Sequence, residues 1–292
     1  MQSVRGGVLR MLGAAVFFTG MALCVGTAHR LDPGLSTFVS SSWRAVVNLL
    51  ALVVMARGDR QLLWGDGRWE LWARGFSGSA ALMSYFAALP LVGVGEAAFL
   101  NQTSALWVAL LAPFLLGERT RPLVWAAIAG SMVGVALLAH PREAAAVVAG
   151  MSNDTLGRGL GLASGLFAAA AYLAIRRAAT SNPAITVVFY FTLLSTFLAV
   201  GLALATGAAW PTDPAVLASL AGAGLCATIA QILMTDAYRL APAALMSATS
   251  AAGPLLTALA GWFFLAELPD AEGQVGMAIL VVTSVVLPLI SR

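Results

Sequence analysis

The densest group of polar side chains in this apolar sequence is the run Asn101-Gln102-Thr103-Ser104, which Trp107 follows closely. At helical spacing, Asn101, Ser104 and Trp107 share one face. An amide, a hydroxyl and an indole on one face suit a ligand with a polar end and an apolar body. Hydrogen bonding between membrane helices uses the same residue types and is the alternative interpretation. We predict ligand binding here, because four successive polar residues exceed what helix packing needs.

Arg44 is a charged residue deep inside an apolar run that spans about residues 35–55. Nine residues of helix place it about 13 Å from the start of that run, near the middle of a bilayer. Charged groups at such depth mark functional sites by default. Arg44 therefore either pairs with a ligand carboxylate or serves structure, satisfied by backbone and by the serines at 40–42.

Other polar or polarisable residues in the apolar runs extend this candidate site. Tyr172 and Thr228 are weaker members of the same group. The predicted binding residues are Asn101, Gln102, Ser104, Trp107, Tyr85, Met83, Arg44, Gln231, Ser247 and Ser250.

Residue types that support catalysis or metal binding do not converge in the sequence. Cys24 and Cys226 lie in apolar runs without partners at metal-ligand or redox spacing. His29 and His140 fall at the ends of apolar runs, and nearly all acidic residues do the same. An intramembrane enzyme would need a nucleophile with a base, a metal cluster or an acidic motif. We therefore predict no enzyme activity, no catalytic residue, no metal and no cofactor.

The composition places the elements that carry these residues in a lipid bilayer. Hydrophobic residues make up 60% of the 292 residues and charged residues 10%, with a mean hydropathy of +0.88; soluble domains are about 25% charged. All basic residues are arginines, and they are scattered, which argues against nucleic acid as a partner. Oligomeric state, monomer or homodimer, is not decided by the sequence.

A membrane-spanning helix needs about 20 mainly apolar residues, and ten runs meet that requirement. They predict an all-α integral membrane protein. The runs lie near residues 7–28, 35–55, 72–92, 95–116, 122–139, 159–175, 184–206, 214–235, 243–265 and 273–290. The first run follows Arg5 and Arg10 without a clear cleavage site, so we interpret it as an uncleaved helix.

The arginines predict the orientation of the chain. With the N-terminus inside, twelve arginines fall in inner segments and three in outer ones, and Arg44 lies within a span. This bias, which includes Arg74 among the inner arginines, follows the positive-inside rule. We expect a multi-pass protein of the bacterial inner membrane with both termini in the cytoplasm.

The chain also repeats itself at an offset of 149 residues. Glu118, which ends the apolar run FLLGERT, then matches Glu267 in FFLAELP, and several leucines and alanines upstream match as well. The offset predicts two five-helix halves, 1–145 and 146–292. Because each half has an odd number of helices, the halves have opposite orientation, as in secondary transporters with inverted repeats.

Two stretches carry a resemblance to a known family. The first joins Glu96, Asn101–Trp107, Phe114–Arg119, Gly130 and Gly134, and the second joins Ser247, Gly253–Leu255, Phe264–Glu267 and Gly276. Both resemble the EamA-type unit of the drug/metabolite transporter superfamily. The first copy departs from the pattern at Ala105, where the second keeps Pro254, and the second lacks the Gly and Arg that flank Glu118.

The resemblance implies ten helices, alternating access and transport of small metabolites, often outward. We expect neutral or aromatic amino acids, similar to an exporter of the aromatic amino-acid kind. Transport of nucleotide-sugar-like solutes, polyamines or drugs stays open, as do the remoter alternatives of a channel or a membrane-embedded enzyme. Acidic residues lie at helix ends rather than in spans, which predicts facilitated transport or exchange rather than proton-driven pumping.

Glu118 and Glu267 occupy equivalent places in the two halves, each at the end of a fourth helix. We predict that they cap helix ends or anchor hairpins rather than bind substrate. Glycines at four-residue spacing predict close helix packing; they are Gly157, Gly161 and Gly165, together with Gly130 and Gly134.

Overall fold

The computed structural model describes residues 2–138, 151–265 and 271–286, and all regular elements in those ranges are helical. This confirms the predicted all-α class. The elements are α1 (Gln2–Leu31), α2 (Thr37–Ala56), α3 (Arg60–Trp64), α4 (Trp69–Gln102), α5 (Ser104–Leu116), α6 (Pro122–Leu138), α7 (Met151–Ala178), α8 (Ala184–Ala205), α9 (Pro214–Leu240), α10 (Ala243–Thr249), α11 (Ala252–Leu265), α12 (Ala271–Leu280) and a closing π-helical segment (Val281–Val286).

Seven helical stretches in the described residues are long and apolar enough to cross a membrane. They are Val4–Leu31, Thr37–Met55, Ala97–Leu116, Thr155–Ala178, Ala184–Ala205, Pro214–Leu240 and Ala243–Phe264. Pro122–Leu137 and Ala271–Ser284 are apolar but shorter. The chain is thus a multi-pass membrane protein, and the count of ten spans stays a prediction.

The bundle has an apolar outer surface and an interior rich in small residues. Phe114, Phe263 and Phe264 are 85%, 77% and 74% exposed, as expected for side chains that face lipid. Alanines such as Ala105 and Ala109 are buried in the largest core cluster. In lipid, close backbone approach rather than water exclusion drives helix association, and small residues allow that approach.

The chain reverses direction within α4. Arg74, near its start, lies within electrostatic range of Tyr172, and the Leu115 carbonyl accepts a hydrogen bond from Arg177. Residues 74 and 115 therefore lie at the same end of α7. A Cβ built on Gly157, near the other end of α7, would lie 2.6 Å from the Leu91 Cβ. The first part of α4 thus runs antiparallel to α7, and α5 runs parallel to it.

Two helix interruptions fall in the polar patches that the sequence singled out. Thr103 separates α4 from α5, and its hydroxyl donates to the Leu100 carbonyl at 2.6 Å. Ser250 and Ala251 separate α10 from α11, and the Ser250 hydroxyl donates to the Ser247 carbonyl at 2.7 Å. These interruptions divide the fourth and ninth predicted spans at nearly equivalent positions of the repeat.

The ends of several helices meet at one arginine-rich end of the bundle. A Cβ built on Gly7 of α1 would lie 2.9 Å from the Ala241 Cβ, and Arg176 near the end of α7 donates to the Tyr238 carbonyl of α9. The start of α1 and the end of α7 thus both lie beside the end of α9. These two helices run in opposite directions.

Asp66 ties the loop before α4 to the loop after α7 at this end. Its carboxylate accepts from Asn182 Nδ2 at 3.0 Å and from the Ser181 hydroxyl at 3.1 Å. Slight burial opposes ionisation of Asp66. The hydrogen bonds from Asn182, Ser181 and the Arg68 N–H, with the charge of Arg68, outweigh that effect and lower the pKa of Asp66.

We expect this loop contact to weaken in acid. A carboxyl whose pKa is lower in the folded state stabilises the fold above its unfolded pKa of about 3.9. The contribution is lost as the pH falls through the folded pKa. Thermal unfolding of wild-type and Asp66→Asn protein should therefore differ at pH 6 and converge toward pH 3. A difference that stays constant over that range would contradict the assignment.

Candidate functional site

Arg74, which the sequence analysis counted among the arginines of the inner segments, is buried inside the bundle at 3% exposure. Its Nη2 donates to Gln231 Oε1 at 3.1 Å, and its guanidinium carbon lies 4.1 Å from the centroid of the Phe191 ring. Four helices meet at this point, because Tyr172 of α7 and Tyr238 of α9 also lie within electrostatic range of Arg74.

Two stacked tyrosines form one wall of this polar cluster. The rings of Tyr172 and Tyr238 lie 5.4 Å apart, inclined by 17°. The Tyr238 hydroxyl faces Ser247 of α10. In the part of the chain that the structure describes, neither the Tyr238 Oη nor the Ser247 Oγ makes a hydrogen bond, although both are buried. The wall thus combines flat apolar surface with two buried hydroxyl groups that face each other.

The charge of Arg74 lacks compensation within the described residues. Its Nε is buried without a hydrogen-bond acceptor, and the ion pairs that the structure shows there involve other arginines. A buried unpaired charge costs several kcal/mol, and a desolvated cation–π contact, worth about 2 kcal/mol or somewhat more, offsets only part of that cost. Stability alone does not explain Arg74, so a functional role is the better explanation.

Five helices bring together three side chains that the sequence analysis named as site candidates and three that it did not, Arg74, Phe191 and Tyr238. Gln231, Ser247 and Tyr172 belong to the cluster around Arg74. Gly78, one turn after Arg74, is the feature of the sequence from which the burial of Arg74 could have been predicted. A Cβ there would collide with the Arg74 guanidinium and would lie 2.8 Å from the Phe191 ring. A glycine one turn beyond an arginine leaves room for the arginine to fold inward.

The fourth-span patch lies around the interruption at Thr103. Asn101 donates to the Ser164 hydroxyl at 3.0 Å and so joins α4 to α7. Ser104 is 5% exposed and begins α5. The Gln102 Nε2 and the Trp107 Nε1 are buried without partners in the described structure. Asn101 therefore has a packing contact, while Gln102 and Trp107 keep donors available to a ligand.

The remaining predicted residues lie outside the contacts that define the cluster. Met83 and Tyr85 are partly buried on α4, and Tyr85 packs on Phe86 with ring centroids 6.0 Å apart. Ser250 bonds within its own helical segment. Their role in binding stays a prediction.

Arg44 is the second buried arginine of the described structure, at 9% exposure. Its Nη1 lies 3.8 Å from the Met21 sulfur, a weak acceptor. Ser40 and Ser42 donate to carbonyls of their own helix, and in the described structure no hydrogen bond joins Arg44 to these serines, although the structural interpretation had expected one. Both interpretations of Arg44 remain open.

Glu118 connects helix ends at the arginine-rich end. Gly117 adopts a left-handed φ of 67°, which a residue with a side chain rarely adopts, and it ends α5 just before Glu118. The Glu118 Oε1 accepts from Arg176 Nε at 2.7 Å, and the Oε2 accepts from the Ala243 N–H at 2.7 Å. Arg176 also donates to the carbonyls of Tyr238 and Arg239.

Glu118 thus caps a helix, as predicted, but the helix is α10 rather than its own hairpin partner. The Thr120 hydroxyl donates a hydrogen bond to the Ala109 carbonyl of α5. Helix α6 begins at Pro122, where the fifth predicted span begins. The equivalent Glu267 lies outside the described residues.

A surface cleft of about 550 Å³, counted with the solvent at its mouth, opens beside Glu118. Arg119, Arg121 and Ala244 are among its lining residues. Arg176 is one helical turn after Tyr172, so the Glu118–Arg176 pair lies between this cleft and the Arg74 cluster. In the ranges described, no group of three or more His, Cys, Asp or Glu side chains could hold a metal ion.

Comparison with known proteins agrees with a repeated transport unit. The sequence profile of the EamA-like transporter family matches residues 5–139 and again residues 155–289. The pseudopaline exporter CntI of Pseudomonas aeruginosa strain UCBPP-PA14 is 26% identical over 97% of this chain and 96% of its own length. The riboflavin transporter of Rhizobium johnstonii is 30% identical over 74% of this chain and 68% of its own.

A solved crystal structure, whose description names no activity, has the same fold. It superposes with a TM-score of 0.80 at 19% identity and covers 97% of both chains. The two profile matches cover most of the sequence, and they confirm the repeat that the 149-residue offset predicted. The chain belongs to the EamA-like transporter family and carries the family unit twice.

Proposed function

We propose that this protein is a secondary transporter that moves a small amphipathic metabolite through the cluster around Arg74 by alternating access. The observation that carries the proposal is a buried, uncompensated arginine of the first family copy that is enclosed by side chains of the second copy. Arg74 comes from the first copy, and Tyr172, Phe191 and Gln231 come from the second. A site between two copies changes its access when the copies rock against each other.

The proposed copies have inverted topology. The opposite directions of α1 and α7, the first helices of the two copies, support this arrangement. The interruptions after Gln102 and after Thr249 support it as well, because discontinuous helices surround the substrate in many inverted-repeat transporters. Five spans in each half, divided at 145/146, complete the proposal.

The arginine-rich end of the bundle is proposed to face the cytoplasm of a bacterium, with both termini inside. The positive-inside rule supports this orientation. Arginines at this end include Arg5, Arg10, Arg57, Arg60, Arg68, Arg119, Arg121, Arg176, Arg177 and Arg239. Because Arg74 is buried, it is not counted among the arginines exposed at this end, but the excess of arginines there remains.

The proposed substrate has a polar end and a flat or apolar body. The relatives are named for pseudopaline and riboflavin, and neither name supports the amino-acid substrate that the sequence analysis favoured. Neutral and aromatic amino acids stay among the substrates to test, since the stacked tyrosines and Trp107 would suit an aromatic side chain. Export, by facilitated transport or exchange, is the proposed direction.

Counterflow in proteoliposomes tests the proposal. Vesicles are loaded with an unlabelled solute, and uptake of the labelled solute is followed for aromatic amino acids, riboflavin, a polyamine and a nucleotide sugar. A transporter gives saturable uptake that rises with solute inside. Uptake without that acceleration would indicate a channel, chemical conversion would indicate an enzyme, and failure of the whole panel would refute transport of these classes.

A further inference from the structure

We infer that Arg74 is the binding residue for a carboxylate of the substrate, with the Tyr172–Tyr238 pair against the flat body of the same molecule. The inference rests on the proposed transport function and specifies its substrate class as aromatic or planar monocarboxylates.

The first argument is the charge balance at the arginine-rich end. The carboxylates of Glu118, Asp236 and Asp66 each form an ion pair with another arginine. Glu70, one turn before Arg74 on α4, forms no ion pair with it in the described structure. Arg74 thus retains a full positive charge in the bundle and a free Nε donor.

The second argument is that the guanidinium is held in place. Gln231 accepts from its Nη2, the Phe191 ring covers one face, and its Nη1 lies over the bare backbone of Gly78. Guanidinium groups bind carboxylates through parallel N–H donors in a fixed plane. A side chain fixed on two sides is prepared for such binding without further ordering.

The third argument concerns the class of anion. The cluster contains one arginine, which matches the single negative charge of a carboxylate better than the double charge of a phosphate. Flat ring surface from Tyr172 and Tyr238 lies within electrostatic reach of the same guanidinium. A molecule with a planar body and one carboxylate can contact both.

Binding to matched pairs of acid and amide tests the inference. The pairs are indole-3-acetate with indole-3-acetamide, 4-hydroxybenzoate with its amide, and N-acetyl-tryptophan with its amide. Calorimetric titration of purified protein in nanodiscs should show at least one acid binding about tenfold or more tightly than its amide, the size of a charge-assisted hydrogen bond. Arg74→Gln should remove this preference, and Arg74→Lys should keep part of it.

Two further variants distinguish the effect of the position of the Arg74 guanidinium from the effect of positive charge in general. Gly78→Ala keeps the charge but displaces the guanidinium, so it should reduce the preference for the acid. Arg68→Gln removes an exposed arginine just before α4 and should leave the preference unchanged. Thermal unfolding of each variant checks that it is folded.

The outcomes distinguish this inference from the proposed function. Arg74→Gln or Gly78→Ala protein that keeps the full preference, or wild-type protein that prefers no acid over its amide, would overturn the carboxylate assignment even if counterflow succeeds. Preference that depends on Arg74 in a protein without counterflow would instead support the binding site and refute transport of the tested solutes.

Discussion

Glu118→Gln protein should open at its arginine-rich end more often than the wild type. The substitution keeps an acceptor for the Ala243 N–H but removes the charge that holds Arg176. Charge-assisted hydrogen bonds contribute about 1.5–3 kcal/mol. Because the Glu118 and Arg176 side chains are 18% and 23% exposed, we discount that value to about 1–2 kcal/mol. The open population should rise about 5- to 30-fold.

Cysteine accessibility measures this shift. Ala244 lines the cleft yet is only 4% exposed, so Ala244→Cys reports opening in a background with Cys24 and Cys226 replaced by alanine. Protein in nanodiscs is treated with a water-soluble maleimide, which reaches either face. The labelling rate should rise by the predicted factor in the Glu118→Gln variant.

The second ion pair at this end provides the matched control. Asp236 and Arg239 pair at 2.7 Å within α9, so Asp236→Asn removes a carboxylate that joins no other helix. Its labelling rate should equal that of the wild type. Equal rates for Glu118→Gln and Asp236→Asn would show that the Glu118–Arg176 pair does not hold this end of the bundle closed. Arg176→Gln completes a double-mutant cycle, in which strong non-additivity is expected for residues in contact.

Gly165→Ala should destabilise the protein, whereas Gly159→Ala on the same helix should not. A Cβ at Gly165 would collide with the Thr103 hydroxyl and lie 2.8 Å from the Leu100 carbonyl oxygen. Among the described residues, no atom lies within 4 Å of a Cβ added at Gly159. Each glycine-to-alanine change raises helix propensity by the same amount, about 1 kcal/mol. The difference between the two variants in free energy of unfolding therefore measures the effect of packing alone. Overpacking of this kind costs about 1–3 kcal/mol.

Denaturant or thermal unfolding in mixed micelles compares the two alanine variants. The backbone at Leu100 is the last turn before the interruption at Thr103, so it cannot move aside without moving α5. We expect Gly165→Ala to unfold at a lower denaturant concentration than Gly159→Ala. Its free energy of unfolding should be smaller by the predicted amount. Equal stability of the two would show that α7 has more room beside the interruption than the distances indicate.

Sequence reasoning located the polar patches more accurately than it located the helix interruptions. It identified Gln102, Trp107 and Ser247 because polar residues are conspicuous among apolar ones. It treated 95–116 and 243–265 as unbroken spans, since each run as a whole is long and mainly apolar. The interruption depends on short side-chain contacts to carbonyls, which a hydropathy pattern does not contain.

Arg74 and Glu118 show why the contact partners of a residue could not be predicted from the sequence. Arg74 follows Trp69 and Trp72, the pattern of an interfacial arginine, and a long flexible side chain either reaches the surface or folds inward. Contacts with Phe191 and Gln231, more than one hundred residues away in the chain, hold the Arg74 side chain in the inward position. Glu118 was predicted as a cap, but Arg176 and Ala243, its partners, lie in the other copy.

By itself, the sequence determined that this chain lies in a membrane as a helical protein, repeats one unit twice and has an arginine-rich end. These properties follow from composition, period and local charge, each of which acts within one helix. Only the tertiary structure decided that Arg74 is buried and uncompensated, and that Glu118 joins the two copies beneath it. Those contacts depend on which helices meet and in which direction, and close packing across the bundle selects them.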